Sequence, residues 1–306
     1  LKTWAIPYKL NLNLQGGPTG SKTFYPLDIK DASKTLFFFQ GRLGKAQNLV
    51  HGEFGAKFAS ALTNPWLEKP TVVNGEPGSR LEMVAEAVPH MRIRFSTSNP
   101  QDMHDEVLHA IAKHENICNY IHLPVQSGSS RILKEMNRGH NREEYFALID
   151  RIRNIIPDCG ISQDLIAGFP TETEEDHADT LSLMDYVKYD FGYMFIYSER
   201  PGTMAARKMP DDVPLDTKKR RLTEIVDKQQ EHALLRNQAR IGTTVEVLVE
   251  GTSKRSENQL FGRTSQNTVA VFDKEDYKPG DFVLVKITDC TSATLLGTAV
   301  ELVVKG

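Results

Sequence analysis

The sequence predicts an α/β fold, in which a partial (β/α) barrel with parallel strands is followed by a small all-β barrel. Two observations predict this arrangement. Between residues 81 and 200, four apolar strand segments alternate with helical segments, as in consecutive βαβ units. After Gly242, short alternating strands separated by glycine replace the helices, as in small antiparallel barrels.

The composition is typical of a soluble protein and excludes several classes. Hydrophobic residues make up 40% of the 306 residues and charged residues 25%, which is enough to build a sizeable core in two domains. No apolar run approaches the roughly 20 residues that a membrane-spanning helix needs, and the first residues lack the apolar segment of a secretory signal. We therefore expect a cytoplasmic monomer that makes no contact with membranes.

The three cysteines point in the same direction. Cys118, Cys159 and Cys290 are far apart, and no CxxC or CxxxCxxC spacing occurs. A sparse, odd set argues against a disulfide framework and fits a reducing cytosol. The spacing also provides no complete zinc or iron–sulfur site. We therefore assign no metal ligands and expect each cysteine to be a small buried side chain.

A change in composition near residue 80 and a proline-marked linker divide the chain into four parts. Residues 1–80 hold both tryptophans and more basic than acidic side chains, without sustained periodicity, and remain unassigned. Residues 81–216 are acidic overall and hold the partial barrel. Residues 217–241 are expected to form a basic, solvated connecting helix, and residues 242–306 the small barrel.

The elements of the partial barrel follow from the spacing of apolar residues. Met91, Ile93 and Phe95 alternate with polar residues in a first strand at 91–98. Three further strands are expected at 116–125, 159–170 and 191–200. Helices are expected at 80–89, 105–114, 130–139, 142–157, 171–188 and 217–240.

Polar residues and glycine mark the ends of two of these helices. Ser127 or Ser129 is expected to cap the start of helix 130–139, and Gly139 to follow its end. Thr171 is expected to cap helix 171–188, whose first turn is acidic, as the positive end of a helix dipole favours.

The ends of the four strands share one chemistry. In parallel sheets with helical crossovers, ligands bind outside the carboxyl ends of the strands. Here each end is rich in hydroxyl groups, amides or glycine, which predicts one shared site. The ends are 96–100, 126–130, 167–170 and 197–203.

Five separated motifs carry a resemblance to a known family. In chain order they are IHLPVQSGSSRILKEMNRG, IIPDCGISQDLIAGFPTETEEDH, MFIYSERPGTMAA, VEGTSKRSENQLFGRTSQN and DCTSATLLG. Together they resemble the radical S-adenosylmethionine (radical SAM) tRNA methylthiotransferases from about Leu81 to the C-terminus. The resemblance implies a radical-SAM-type barrel followed by a TRAM domain, a small OB-like barrel that binds RNA. It also implies methylthiolation at C2 of N6-isopentenyladenosine next to the tRNA anticodon.

The resemblance implies that the strand ends bind S-adenosylmethionine. Polar groups would face its amino-acid and ribose parts, and apolar or backbone groups its adenine. The residues concerned are Ser96, Thr97, Gln126, Ser127, Asp164, Gly168, Phe169, Tyr197, Ser198 and Arg200.

Some of these residues have simpler interpretations. The serines could serve only as helix caps, and Tyr197 could serve only in packing. Asp164 could be a buried partner of Arg92 or Arg94. His122, on the second strand, is expected to be a hydrogen-bonded core histidine rather than a base.

The resemblance also implies that the C-terminal barrel binds the anticodon loop of tRNA. Basic side chains would contact phosphates, an aromatic ring would stack on a base, and amide and hydroxyl groups would complete the surface. The alternative is a polar loop of the barrel without a ligand. The residues concerned are Lys254, Arg255, Phe261, Arg263, Ser265, Gln266 and Asn267.

The sequence departs from the family in one respect. The family holds [4Fe–4S] clusters in an N-terminal domain and in a CxxxCxxC loop, and the ligands of neither occur here. We therefore assign no catalytic residue. One interpretation is a truncated or fused methylthiotransferase that is inactive on its own, and the other is an RNA-binding module that has lost radical chemistry.

Overall fold

The computed structural model describes residues 11–12, 22–23, 35–39, 71–73, 76–78, 80–96 and 99–303. The described part of the first block consists of short strands. Strands β1 (Asn11–Leu12) and β2 (Lys22–Thr23) pair in antiparallel fashion, and so do β4 (Thr71–Val73) and β5 (Glu76–Gly78). Strand β3 (Thr35–Phe39) pairs in parallel with the first strand of the partial barrel.

The α/β prediction is confirmed, because the four expected strands are parallel and follow one another in chain order. They are β6 (Arg92–Ser96), β7 (Tyr120–His122), β8 (Gly160–Ala167) and β9 (Phe191–Ile196). Strands β7, β8 and β9 form one sheet, and a parallel bridge between Ile93 and Ile117 joins β6 to the segment before β7. Strand β7 is shorter than the expected 116–125, although its chain continues beside β8 as far as Gln126.

Helices cover one face of this sheet and bury its core. They are α1 (Arg80–Ala87), α2 (Asp105–Lys113), α3 (Ser130–Glu135), α4 (Arg142–Ile155), α5 (Glu174–Val187), α6 (Met204–Lys208) and α7 (Leu215–Gln238), with a 3-10 turn at Pro100–Asp102. Ile121 and Leu165 of the strands and Ile149 and Leu183 of the helices lie in one buried cluster. Within the described residues, no helix has both the length and the apolar character to cross a membrane.

Two of the expected helix ends were wrong. Helix α5 begins at Glu174, and its N-cap is Thr173, two residues after the expected Thr171. The hydroxyl of Thr173 accepts a hydrogen bond from the amide of Asp176, whose carboxylate accepts one from the amide of Thr173. Helix α3 ends at Glu135, and Asn137, not Gly139, adopts the left-handed conformation that follows it. Ser129 is the N-cap of α3, and its hydroxyl accepts from the amide of Ile132.

The C-terminal part is a closed five-stranded barrel. Its strands are β10 (Thr244–Thr252), β11 (Gln259–Arg263), β12 (Val269–Asp273), β13 (Phe282–Cys290) and β14 (Thr294–Val303). They are arranged in the order β10-β11-β12-β14-β13, and the pair β12–β14 is parallel while the others are antiparallel. Val247, Phe272 and Leu295 are fully buried in its interior.

Helix α7 is not the solvated connector that the sequence suggested. Its buried face is largely polar, and these polar side chains have partners outside the helix. Arg221 donates to Glu172, Gln229 donates to the backbone oxygen of Tyr189, and Asn237 donates to that of Thr291. The helix therefore links the parallel sheet to the C-terminal barrel.

The buried pair Arg221–Glu172 provides a test of this packing. Its atoms lie 2.8 Å apart and both side chains are almost fully buried, and burial raises the pKa of the Glu172 carboxyl. Loss of one partner leaves a buried charge without compensation, which costs about 3–5 kcal/mol. We expect Arg221→Met to lower the free energy of unfolding by that amount in urea denaturation.

Arg220→Met is the matched control, because Arg220 lies next in sequence and pairs with Glu174 and Glu224 at the exposed surface. It should leave the unfolding curve almost unchanged. Equal effects of the two substitutions would contradict the assignment of Arg221 to a buried ion pair.

Candidate functional site

The carboxyl ends of the strands lie side by side, as the sequence predicted. The amide of Gln126 donates to the backbone oxygen of Asp164 over 2.8 Å, and the backbone oxygen of Gln126 accepts from Ile166 over 3.0 Å. The amide of Tyr197 donates to the backbone oxygen of Ala167 over 2.8 Å. Three of the four predicted strand ends therefore form one continuous edge.

A tight turn follows the second strand end. Gln126 has a φ of 73°, and its side chain is buried. Ser127 is fully buried, and its hydroxyl accepts from the amide of Ser129 over 3.2 Å. The Ser129 hydroxyl in turn donates to Asp176 over 2.6 Å. The hydroxyls of Ser127 and Ser129 are thus both engaged in hydrogen bonds within the protein.

Asp176 connects this turn to the start of α5. Its carboxylate accepts from the guanidinium of Arg131, the hydroxyl of Ser129, and the amide and hydroxyl of Thr173. Burial disfavours the charged carboxylate, but these donors outweigh it and hold the pKa of Asp176 well below its usual range. The Asp176 carboxylate therefore fixes the position of the predicted ligand-binding turn.

Asp164 does not pair with Arg92 or Arg94. Its carboxylate lies 3.5 Å from Nε2 of His122 and is partly exposed. Nδ1 of His122 lies 2.8 Å from the hydroxyl of Ser162, which is 2.6 Å from the hydroxyl of Tyr120. His122 is thus hydrogen-bonded, as expected, but it is only half-buried and lies beside the predicted site.

The third and fourth strand ends meet at a pair of aromatic rings. Phe169 is buried and makes an edge contact with Tyr197, with ring centroids 5.1 Å apart. Gly168 has a φ of 73°, and a Cβ at this position would collide with the side chain of Lys218. The close approach that Gly168 permits is therefore to α7. The ammonium of Lys218 lies 5.1 Å from the centre of the Tyr197 ring.

The remaining predicted strand-end residues differ in position. Ser198 and Arg200 are exposed in the chain that leaves β9. Ser96 ends β6, but its side chain and all of Thr97 lie outside the described residues.

The RTSQN motif, residues 263–267, lies at the opposite, amino ends of the strands. The hydroxyl of Ser265 accepts from the amide of Asn119 over 2.8 Å. Gln266 is buried and donates to Asp158. The backbone of Gln266 packs against Gly160, where any Cβ would lie 2.7 Å from the Gln266 oxygen. The motif therefore joins the two barrels.

Two arginines of β6 strengthen this junction. Arg92 pairs with Glu246 over 2.7 Å, and Arg94 donates to the backbone oxygen of Thr264 over 2.6 Å. Both arginines are almost fully buried, and burial lowers the pKa of Arg94. No signal in the sequence of β6 alone distinguishes these arginines from solvent-exposed ones.

The other predicted RNA-binding residues are not brought together with the strand ends. Lys254 and Arg255 are exposed in the turn between β10 and β11, and Phe261 is half-buried on β11. Arg263 donates to the backbone oxygen of Asn267 over 3.0 Å and lies 3.4 Å from Glu250.

Comparison with known families agrees with the two-part architecture. Residues 68–184 match the Radical SAM superfamily, and residues 238–300 match the TRAM domain. The chain carries a Radical SAM domain followed by a TRAM domain. The Radical SAM match begins upstream of residue 81, where the motifs had suggested the start of the resemblance.

Individual relatives share one name, tRNA-2-methylthio-N(6)-dimethylallyladenosine synthase. The protein of Flavobacterium johnsoniae is 66% identical over 236 residues, which are 77% of this chain and 49% of that protein. The protein of Christiangramia forsetii is equally similar, at 66% over 236 residues, with the same 77% and 49% coverage. That of Bacteroides thetaiotaomicron is 55% identical over 233 residues, which are 76% of this chain and 51% of that protein.

The chain thus spans about half the length of the curated relatives that it matches. Among solved structures, coproporphyrinogen III oxidase (HemN) of Escherichia coli, described as a Radical SAM enzyme, has a TM-score of 0.41 and 17% identity. That likeness covers 67% of this chain and 49% of the oxidase.

The Radical SAM superfamily implies an iron–sulfur cluster, and the chain's own cysteines do not fit one. Cys118 and Cys159 are buried as expected, but the expectation was wrong for Cys290, which is half-buried on β13. Metal ligation requires the thiolate, but burial, reinforced by Asp190 and Asp158, raises the pKa of Cys159 well above its usual range. No group of three or more His, Cys, Asp or Glu side chains in the described part of the chain is arranged to hold a metal ion.

The strand ends carry the types of group that the predicted S-adenosylmethionine site requires. Asp164 offers a partly exposed carboxylate that can accept from hydroxyl or amino groups. Phe169 and Tyr197, at the ends of β8 and β9, make an edge contact with each other. The exposed aromatic rings of Phe191, Tyr193 and Phe195 were not among the site residues predicted from the sequence, although every second residue of the segment FGYMF is aromatic.

Asp176 provides a test of how the turn is held. Asp176→Asn keeps the shape of the side chain and removes its charge. Hydrogen bonds to charged groups contribute about 1.5–3 kcal/mol, so we expect a loss of about that size in the free energy of unfolding at pH 7.

The pH dependence of this loss has a definite sign. A carboxyl whose pKa is lower in the folded state contributes stability that is present above its unfolded pKa, about 3.9 for Asp. That contribution disappears as the pH falls through the folded value. The difference in the free energy of unfolding between the wild type and Asp176→Asn should therefore become smaller as the pH falls below about 4. Asp179→Asn, at an exposed position of the same helix, is the control and should follow the wild type.

Proposed function

We propose that this chain takes part in the methylthiolation of tRNA, at C2 of N6-isopentenyladenosine next to the anticodon. The observation that carries the proposal is the 66% identity over 236 residues to synthases named for this modification. The arrangement of a Radical SAM domain followed by a TRAM domain supports it. A tRNA substrate implies a cytoplasmic protein, and we propose that it acts as a monomer.

The carboxyl edge of the sheet is the proposed site for S-adenosylmethionine. Asp164 and Gln126 would hold its polar parts, and Phe169 and Tyr197 would provide the wall for its adenine. Ser127 would act by shaping the turn, because its hydroxyl is bonded to the amide of Ser129. Ser96, Thr97, Gly168, Ser198 and Arg200 complete the proposed lining of the site. When bound, S-adenosylmethionine supplies both the methyl group and the radical that the modification requires.

The chain by itself is expected to bind RNA without modifying it. Its three cysteines do not fit an iron–sulfur cluster, so the electron that the radical chemistry needs has no source in this chain. The same observation favours a second candidate, an RNA-binding module that has lost radical chemistry. Binding of S-adenosylmethionine distinguishes the candidates, because only the first retains a functional cofactor site.

The exposed turn between β10 and β11 is the proposed RNA contact of the TRAM domain. Lys254 and Arg255 would contact phosphates, with Phe261 beside them for a base. The RTSQN residues Arg263, Ser265, Gln266 and Asn267 would contribute mainly by holding the TRAM domain against the sheet, since most of their polar groups are used within the chain.

The salt dependence of RNA binding tests this contact. Each phosphate contact contributes about 0.7–0.9 to the slope of log K against log salt concentration. We therefore expect the double variant Lys254→Gln/Arg255→Gln to bind a tRNA anticodon stem-loop more weakly and to lower the magnitude of this slope by about 1.4–1.8. Fluorescence anisotropy over a range of potassium chloride concentrations measures both quantities.

Lys286→Gln is the matched control, because Lys286 is an exposed residue of β13, on another part of the same barrel. It should change neither affinity nor slope. An unchanged slope in the double variant would refute the proposed contact, and failure of the wild-type chain to bind the stem-loop would refute the proposed function.

A further inference from the structure

One face of the parallel sheet is covered by helices, whereas the other carries exposed aromatic rings. Phe191, Tyr193 and Phe195 of β9 are 48%, 51% and 53% exposed, and they alternate with Gly192, which is buried against Gln163 and Gln229 on the α7 side. Three large aromatic residues in a row at the surface form an apolar patch of the kind that marks a binding site.

The neighbouring strands place polar groups on the same face. In the β8–β9 register Ser162 lies opposite Phe191, and Asp164 opposite Tyr193. His122 of β7 lies opposite Ser162 and makes an edge contact with the Tyr193 ring, with centroids 6.1 Å apart. We call the residues Tyr120, His122, Ser162, Phe191, Tyr193 and Phe195 the open sheet face; Asp164 lies at its border.

The geometry of the open sheet face suits a planar, partly polar ligand. Successive side chains on one face of a strand are separated by about 7 Å, so a flat ring can lie against Tyr193 and Phe195 together. The Phe191 ring already makes an edge contact with Tyr193, with centroids 4.9 Å apart. The polar side chains of His122 and Ser162 lie beside the aromatic row, where they can form hydrogen bonds with the edge of such a ring.

The position of the open sheet face in the fold points to RNA. Its lower border is formed by the TRAM domain, because Asn267 lies beside the Tyr120 hydroxyl. Its upper border is the strand edge with Gln126 and Asp164, which carries the proposed cofactor site. A nucleotide on this face would therefore lie between an RNA-binding domain and the proposed methyl donor.

We propose that the open sheet face binds a purine base of the RNA, stacked on Tyr193 and Phe195. The inference rests on the proposed function and makes it more specific, because it names the residues that hold the target base. Stacking on an aromatic side chain requires only the π-face that every base has, and a modified adenine keeps that face. His122 is a positioning residue, since its contact with Tyr193 fixes the orientation of that ring.

The test uses the 306-residue chain and two RNA hairpins that differ at one loop position. One hairpin carries the fluorescent purine analogue 2-aminopurine at that position, and the other carries an abasic site. We expect the wild type to quench the 2-aminopurine fluorescence and to bind this hairpin more tightly than the abasic one. The double variant Tyr193→Ala/Phe195→Ala should lose the quenching and bind the 2-aminopurine hairpin roughly tenfold or more weakly, with unchanged affinity for the abasic hairpin.

Two controls separate stacking from general damage. Tyr186→Ala removes a tyrosine that is 41% exposed on α5, where it contacts Phe146 on the helical side of the sheet, and should behave as the wild type. Tyr193→Trp keeps an aromatic surface and should retain the quenching. Because the rings of β9 are exposed, thermal unfolding of the alanine variants should match that of the wild type.

Three results would overturn the inference. Equal binding of both hairpins by the wild type and the double variant would show that RNA binds without stacking, and the proposed function would stand. S-adenosylmethionine could also be added to the complex of the wild type with the 2-aminopurine hairpin. If it abolished the quenching, and if the wild type bound the two hairpins with equal affinity, the face would be assigned to the cofactor's adenine. A dimeric wild type that becomes monomeric in the double variant, measured by light scattering, would assign the face to a second copy of the chain.

Discussion

The hydrogen bonds around Asp176 support the arrangement of the carboxyl edge of the sheet. This single carboxylate joins the turn after the second strand end, through Ser129 and Arg131, to the first turn of α5, through Thr173. Gln126 just before the turn adopts a left-handed φ, a conformation that non-glycine residues seldom take without surrounding contacts to stabilise it. The relative positions of the strand ends, and therefore of the proposed cofactor site, depend on this network.

At the other end of the strands, the two domains are joined by buried polar contacts. Arg92 and Arg94 reach from β6 to Glu246 and Thr264, and the backbone of Gln266 fits against Gly160. Helix α7 adds a second connection, through Asn237 and the backbone of Thr291. The contacts fix the TRAM domain relative to the sheet.

The sequence predicted the order and type of the elements because local spacing determines them. Alternation in β6 and the apolar stripes of α2 and α4 each depend only on residues close in the chain. Two features depended on distant contacts and were not predictable in this way: α7 buries Arg221 against Glu172, and the RTSQN residues contact the sheet. The cap of α5 at Thr173 is instead a local signal that was overlooked, because Asp176, three residues further on, completes its capping box. The aromatic alternation in β9 was visible, but only its pairing with β8 shows which face the rings share.

The central claim is that the sheet and the TRAM domain form one RNA-binding surface, and photocrosslinking tests it most directly. An anticodon stem-loop would carry 8-azidoadenosine at the loop purine and 4-thiouridine in the stem, and mass spectrometry would locate the crosslinked peptides. The account predicts crosslinks from the loop purine to the β9 peptide that contains Tyr193 and Phe195, and from the stem to the TRAM turn that contains Lys254 and Arg255. Crosslinks confined to the TRAM domain from both positions would contradict it.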